Sequence, residues 1–128
     1  MKHIDPATLS RPTGYTHVVE AKAGRTLYIS GQVALDAAGA LVGEGDLAAQ
    51  TQQVFENLKS ALAAGAATLD HVAKITVFIT DASRIATFRE IRNRYFTQAL
   101  PASTLVQVVA LARPEWLIEV EAIAIVEA

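Results

Sequence analysis

The stretch 117–128 constrains the fold most, because one of its two alternating sets of side chains is entirely apolar and the other is not. Glu119 and Glu121 lie two positions apart, and the positions between and around them are apolar: Ile118, Val120, Ala122, Ala124 and Val126. Successive side chains of a β-strand point to opposite faces. The pattern therefore predicts a strand with one apolar face and one mixed face that carries both carboxylates.

Two further segments alternate in a similar way. Residues 72–80 place Ala73, Ile75, Val77 and Ile79 on an apolar face and Val72, Lys74, Thr76, Phe78 and Thr80 on a mixed one. In residues 103–111 we assign Thr104, Val106, Val108 and Ala110 to the apolar face, and Ser103, Leu105, Gln107, Val109 and Leu111 to the mixed one. Charged groups among aliphatic residues suit neither a core nor a solvent surface. The mixed faces predict contact with another subunit, with polar groups paired or lining a cleft.

The order of elements predicts an α+β fold. We expect an irregular arm (1–14), a hairpin (15–21 with 26–32), a short strand in a loop (40–42) and a helix that is capped by Asp46 and ends near Gly65. A strand (72–80), a second helix (83–97) and two final strands joined by a short turn should follow. Two helices would lie on one face of a mixed sheet. At 128 residues the chain is expected to form one domain, 1–128.

Composition excludes several classes of function. No apolar run reaches the ~18 residues of a membrane span, and no signal peptide is recognisable, so we expect a cytoplasmic protein without a membrane partner. There are no cysteines, and the three histidines lack the spacing of metal ligands, so we expect neither a metal nor a cofactor. His71 is interpreted as a structural or surface residue. A net charge of −2 argues against nucleic acid. The basic cluster Arg84, Arg89, Arg92 and Arg94 is interpreted as a solvated helix face near Glu90.

Four separated motifs resemble those of the RidA/YjgF family, small proteins that hydrolyse reactive enamine and imine intermediates. They are Ser30-Gly31-Gln32, Val77-Phe78, Pro101-Ala102 and the run from Glu119 to Ala124. The resemblance extends from about Tyr15 onward. It implies a chorismate-mutase-like fold, a homotrimer packed through the mixed sheet faces, and small-molecule clefts between subunits.

The same resemblance implies the site residues. Glu119 would lie near the attacking water, Tyr15 at the cleft edge, Ser30 and the Gly31 N–H beside the ligand, and Phe78, Ser103 and Thr104 around it. Deaminating members carry an arginine after the Pro-Ala step, where this chain has Ser103. A serine brings neither charge nor a two-pronged donor. We therefore expect this chain to lack the activity of the deaminating members on 2-aminoacrylate-type enamines. Arg89 or Arg113 would be the alternative anchor.

Several alternatives remain open from the residues alone. Glu119 is either a proton-transfer group or the structural partner of Lys74 at an interface, and Tyr15 is either a ligand contact or a packed aromatic. The chain as a whole is either an enzyme acting on C=N bonds, a non-catalytic small-molecule binder, or a protein-interaction trimer. Fold alone does not decide among these functions.

Overall fold

The computed structural model describes residues 1–128, which form six strands and two α-helices. The elements are β1 (Lys2–Ile4), β2 (Val18–Glu20), β3 (Gly24–Gln32), α1 (Leu47–Ala64), β4 (Val72–Ile79), α2 (Ile85–Tyr95), β5 (Ala102–Gln107) and β6 (Ile118–Glu127). Short 3₁₀ turns, Leu69–His71 and Ala82–Arg84, precede β4 and α2. The predicted α+β architecture is confirmed. Neither helix combines the length and the apolar character needed to cross a lipid bilayer.

The main sheet has the strand order β3-β6-β4-β5, with β4 and β5 parallel and the other pairs antiparallel. The alternation predicted for β4 and β6 is confirmed from Lys74 onward, since Ile75, Val77, Ile118 and Val120 are all buried. The assignment of Val72 to the mixed face is wrong: a register shift between Val72 and Lys74 turns Val72 into the core, where it is fully buried. Both helices cover this buried face. The opposite face, here called the open face, carries Lys74, Phe78, Glu119 and Glu121 and has no cover within the chain.

Helix α1 begins and ends as the sequence predicts. The Asp46 side chain accepts a hydrogen bond from the Ala49 N–H at 3.1 Å, and Gly65 caps the C-terminus. Its apolar stripe includes Val54, Phe55 and Leu58, all fully buried against the sheet and α2. Burial of such a stripe stabilises a helix more than its intrinsic propensity does.

The predicted hairpin of residues 15–21 with 26–32 is wrong. Instead, β2 pairs with β1, inside the arm that was predicted to be irregular, and β3 pairs with β6. Alternation within a segment specifies a strand but not its partner, and pairing with the long apolar β6 buries more surface than a local hairpin would. The predicted strand at 40–42 reduces to a single bridge between Leu35 and Leu41.

The faces assigned to β5 are reversed, and its length is overestimated. Thr104 and Val106 are exposed beside Thr76 and Phe78 on the open face, whereas Leu105 packs against the core beside Val77. Gln107 also turns to the helix side, where its Oε1 accepts from the Ala82 N–H at 2.8 Å. Beyond Gln107 the strand ends, and β4 separates β5 from β6, so the two last strands are not neighbours. The edge position of β5 leaves its aliphatic residues half exposed, which weakens the face signal.

A buried glutamine fixes the entry to β6. Gln50 of α1 is fully buried; its Nε2 donates to the carbonyls of Gly43 (3.0 Å) and Glu115 (3.1 Å), and its Oε1 accepts from the Leu117 N–H (2.9 Å). All the polar atoms of this amide are therefore satisfied inside the core. The contact positions Leu117 and hence the start of the strand that carries Glu119.

Candidate functional site

Glu119 lies on the open face between Phe78 and a bulge in β3. It is directly opposite Phe78 in the β4–β6 register. Across the other edge of β6, the β3 pairing shifts between Ile29 and Gln32, which leaves Ser30 and Gly31 outside the regular ladder. An irregularity of this kind redirects side chains and occurs often beside functional sites.

Gly31 is required here because the Glu119 side chain occupies the space that a Cβ would need. A methyl group at position 31 would come within 2.8 Å of both Cδ and Oε1 of Glu119. The half-buried carboxylate makes no hydrogen bond or ion pair within the chain. Ser30, Gly31, Phe78 and Glu119 thus form one cluster, the carboxylate cluster, whose carboxylate is free to interact with a molecule outside the chain.

Within one chain Glu119 and Lys74 form no ion pair, and their pairing across a subunit interface, the structural alternative for Glu119, stays a prediction. Lys74 Nζ donates to Thr104 Oγ1 at 2.7 Å, and it lies within 4 Å of no carboxylate. Burial lowers the pKa of Lys74, an effect opposed by the charge of Glu121 rather than of Glu119. This lysine therefore belongs with Thr104 and Glu121.

Lys74 and Glu121 border a shallow cavity of about 150 Å³ in the middle of the open face. The cavity is lined by Tyr28 and Ile29 of β3, Lys74 and Thr76 of β4, and the β6 segment 121–123. Tyr28 is 80% exposed although it lies beside this apolar surface. A large aromatic left uncovered next to aliphatic side chains is typical of a surface that contacts another molecule.

The arm segment that carries Tyr15 meets the start of β5, which carries Ser103; these two segments, residues 14–16 and 100–103, are called the arm cluster. Thr16, next to Tyr15, donates its N–H to the Pro101 carbonyl (3.0 Å) and its hydroxyl to the Leu100 carbonyl (2.7 Å). Ser103 is in register with the buried Ile75, so its side chain points to the helix side of the sheet. Because Glu119 points to the open face, one chain does not bring Ser103 and Glu119 together.

Arg89 is exposed on α2, but its neighbour Arg92 is not on the solvated face that the sequence predicted. Arg92 is only 6% exposed and lies over the Phe88 ring, 5.6 Å from its centroid. Arg94 does pair with Glu90 on the solvent side, at 3.0 Å. The spacing of Phe88, Arg92 and Tyr95, by four and three residues, places all three on one helix face, and this was the signal that sequence reasoning missed.

His71 is structural, as predicted: its Nδ1 accepts from the Thr68 N–H at 3.0 Å and closes a capping box. No group of three or more histidine and acidic side chains is close enough to hold a metal ion. The chemistry available on the open face is therefore that of a free carboxylate beside a bulge, a phenyl ring and a lysine.

Comparison with known proteins identifies the family from the sequence and the fold. A family model described as Endoribonuclease L-PSP covers residues 7–126. A structure from Yersinia pestis, described as a protein of unknown function of the conserved Rid family, YyfB, superimposes with a TM-score of 0.91 at 41% identity and covers 98% of each chain. The chain belongs to the RidA/YjgF family.

Other members of the RidA/YjgF family include proteins with named activities. Protein DfrA of Myxococcus xanthus is 42% identical over 87% of this chain and 84% of its own length. The mouse protein named 2-iminobutanoate/2-iminopropanoate deaminase is 39% identical over 79% of this chain and 74% of its own. RidA from an Antarctic Psychrobacter has a TM-score of 0.75 at 34% identity, covering 91% and 92% of the two chains. Membership in the family supports a role in processing small molecules.

Proposed function

We propose that this protein hydrolyses the C=N bond of a small imine or enamine metabolite in clefts between the subunits of a homotrimer. The observation that carries the proposal is the free Glu119 carboxylate, held beside the Gly31 bulge and opposite Phe78. The names of the relatives that are 2-iminobutanoate/2-iminopropanoate deaminases support the reaction class.

The reaction needs one water and one proton-transfer group. Water adds its oxygen to the imine carbon, the C–N bond breaks, and the products are a carbonyl compound and ammonia. Glu119 passes one proton of the attacking water to the imine nitrogen, which gives a carbinolamine, and then passes the hydroxyl proton to the same nitrogen as the C–N bond breaks and the carbonyl forms. An enamine enters this reaction after tautomerisation to the imine, in which a proton moves from nitrogen to carbon. Phe78 and the bulge at Ser30 and Gly31 orient the C=N group against this carboxylate.

The separation of the two clusters supports clefts between neighbouring subunits, as the proposed trimer requires. Ser103 lies on the edge strand β5 with its side chain toward the helices, whereas Glu119 points to the open face. A cleft that contains both needs the open face of one protomer beside the arm cluster of its neighbour. Such packing would also cover Tyr28 and Val106, which are 80% and 40% exposed in the single chain.

The substrate is one whose binding does not rely on an arginine at position 103. The Ser103 hydroxyl offers one neutral hydrogen bond, and charge-assisted bonds are roughly twice as strong as neutral ones. We therefore infer weaker turnover of 2-aminoacrylate-type enamines than in relatives with arginine at this position.

The substitution Glu119→Gln tests the proposal. The amide is nearly isosteric, so fold and assembly should persist, while ammonia release from 2-iminobutanoate generated in situ should fall ~10²- to 10⁴-fold. Glu121→Gln is the matched control, since its carboxylate lies on the same face of β6 one pair further from Phe78. We expect the control to stay within a few-fold of wild type.

Two results would contradict the assignment. If Glu119→Gln keeps its turnover but lowers the melting temperature of the assembly, Glu119 is structural. If the wild-type protein binds 2-oxobutanoate yet releases no ammonia from any imine tested, the clefts serve ligand binding without catalysis. The second outcome corresponds to the alternative of a non-catalytic small-molecule binder.

A further inference from the structure

The Arg92 guanidinium is buried without an opposite charge. No carboxylate lies within 4 Å of it. Its Nε and Nη2 donate to Asn93 Oδ1 at 3.3 and 3.1 Å, and Nη2 also donates to the Thr13 carbonyl at 3.3 Å. These acceptors are neutral and the bonds are long. A buried charge is costly unless it is paired, so this site is incomplete within the chain.

One nitrogen of Arg92 remains available to a ligand. Nη1 makes no hydrogen bond in the chain, and every side-chain nitrogen or oxygen that is fully buried has a partner. Nη1 must therefore reach the surface. The exposed Arg89, one helical turn earlier, adds a second positive charge. The pKa of Arg92 is lowered mainly by burial and to a smaller extent by the charge of Arg89. The two side chains create a positive spot that has no anion of its own.

The arm places this spot beside the arm cluster. Gly14, at φ +77°, lies so close to the guanidinium that a Cβ there would overlap it. Tyr15 follows directly, and Thr16 is bonded to the Leu100 and Pro101 carbonyls at the start of β5. Arg92 is thus connected through three residues of the arm to the strand that carries Ser103.

We propose that Arg92, with Arg89 beside it, binds the carboxylate of a small organic acid at the cleft edge next to Tyr15. The pair supplies the positive charge that Ser103 does not provide, so the anion is held from α2 rather than from β5. This inference rests on the proposed ligand cleft and names the charge of its substrate. A guanidinium is suited to the task because its donors match the geometry of a carboxylate.

Equilibrium binding of 2-oxobutanoate, measured by calorimetry, tests the inference without any turnover. Butan-2-one, which lacks the carboxylate, is the ligand control. Arg92→Gln should weaken 2-oxobutanoate binding at least ~10-fold, the effect expected for loss of a charge-assisted bond. Arg94→Gln, on the solvent side of the same helix, is the matched control and should bind within twofold of wild type. Equal binding of 2-oxobutanoate to wild type and Arg92→Gln would overturn the proposal, as would a wild type that binds the acid no better than the ketone.

Should Arg92→Gln fail to fold, the wild-type protein still answers the question by NMR. The Arg92 Nε–H signal is identified by its absence in Arg92→Lys, and it should shift on titration with 2-oxobutanoate but not with butan-2-one. A signal that is unchanged at saturating acid would overturn the proposal; this is the result expected if an acidic side chain of a second copy already pairs with Arg92. Binding through Arg92 in a protein that hydrolyses no imine would support this inference and reject only the proposed reaction.

Discussion

Substitution of Gly31 by alanine is the most direct test of whether the position of the Glu119 carboxylate matters. The new methyl group would lie 2.8 Å from Cδ and 2.9 Å from Cγ of Glu119. Carbon atoms in ordinary contact are about 3.5 Å or more apart, so the carboxylate must move by roughly 0.7 Å or more. Misplacement by about 1 Å can reduce a rate ~10²-fold. We therefore expect Gly31→Ala to lower kcat/KM for imine hydrolysis by roughly 10- to 100-fold.

Stability should change much less than activity in this variant. The obstructing atoms are the far end of a flexible side chain that has no partner to lose, and a strained rotamer costs about 1 kcal/mol. Urea unfolding at a fixed protomer concentration would measure this, because the stability of an assembly depends on concentration. Ammonia release would measure the activity of the same preparations.

A double-mutant cycle provides the control. In a Glu119→Ala background the methyl group meets no carboxylate, so Gly31→Ala should have almost no effect on unfolding, and the coupling between the two sites should appear as a non-additive free energy. Wild-type turnover by Gly31→Ala would refute the reasoning, since the carboxylate cannot keep its present position once the methyl group is present.

Three further predictions concern other parts of the molecule. Sedimentation equilibrium at micromolar concentration should give about three times the chain mass of 13.6 kDa, and a monomer would reject both the trimer and the shared clefts. Ser103→Arg should raise kcat/KM for 2-imino acids by ~10-fold or more relative to uncharged imines, because it adds a two-pronged cationic donor; equal effects on both substrate types would contradict this. Burial, followed by the nearby Glu56, raises the pKa of Tyr95 to about 12 from 10.0, so the unfolded chain releases this proton at lower pH than the folded one. The folding stability linked to Tyr95 is thus complete below pH 10.0 and is lost as the pH rises to about 12. Across this range the melting temperature of Tyr95→Phe should fall less steeply with pH than that of the wild type. The same pH dependence of melting temperature in both proteins would contradict a raised pKa for Tyr95.

The sequence predicted the elements of the fold better than their partners. Alternation in residues 74–79 and 118–127 and the Asp46 cap are local signals, and each was confirmed; the bulge that buries Val72 has no such signal. The pairing of β3 with β6 joins residues about a hundred positions apart, and no local pattern encodes it. In β5 the face assignment failed because Leu105 and Val106 are both aliphatic, so the sequence does not distinguish the core side from the open side of this edge strand.

The candidate site was predicted in part, and mostly through resemblance to the family. The structure places Gly31 and Phe78 beside Glu119, and the roles of these residues stay predictions. Charge patterning failed for Arg92, because four arginines close together favour a solvated interpretation. The arm at Gly14 covers Arg92, and the local sign of this in the sequence is the spacing of Arg92 from Phe88 and Tyr95 on one helix face.

The central position of β6 has a consequence for how the chain folds during synthesis. Strands β3, β4 and β5 all leave the ribosome before β6, yet β3 is joined to the rest of the sheet only through β6. Until residues 118–127 have emerged, the apolar faces of the earlier strands lack their central partner, and exposed strand edges of this kind promote aggregation. Nascent chains stalled short of β6 should therefore be protease-sensitive throughout the sheet, and removal of β6 should unfold the whole domain rather than fray one end.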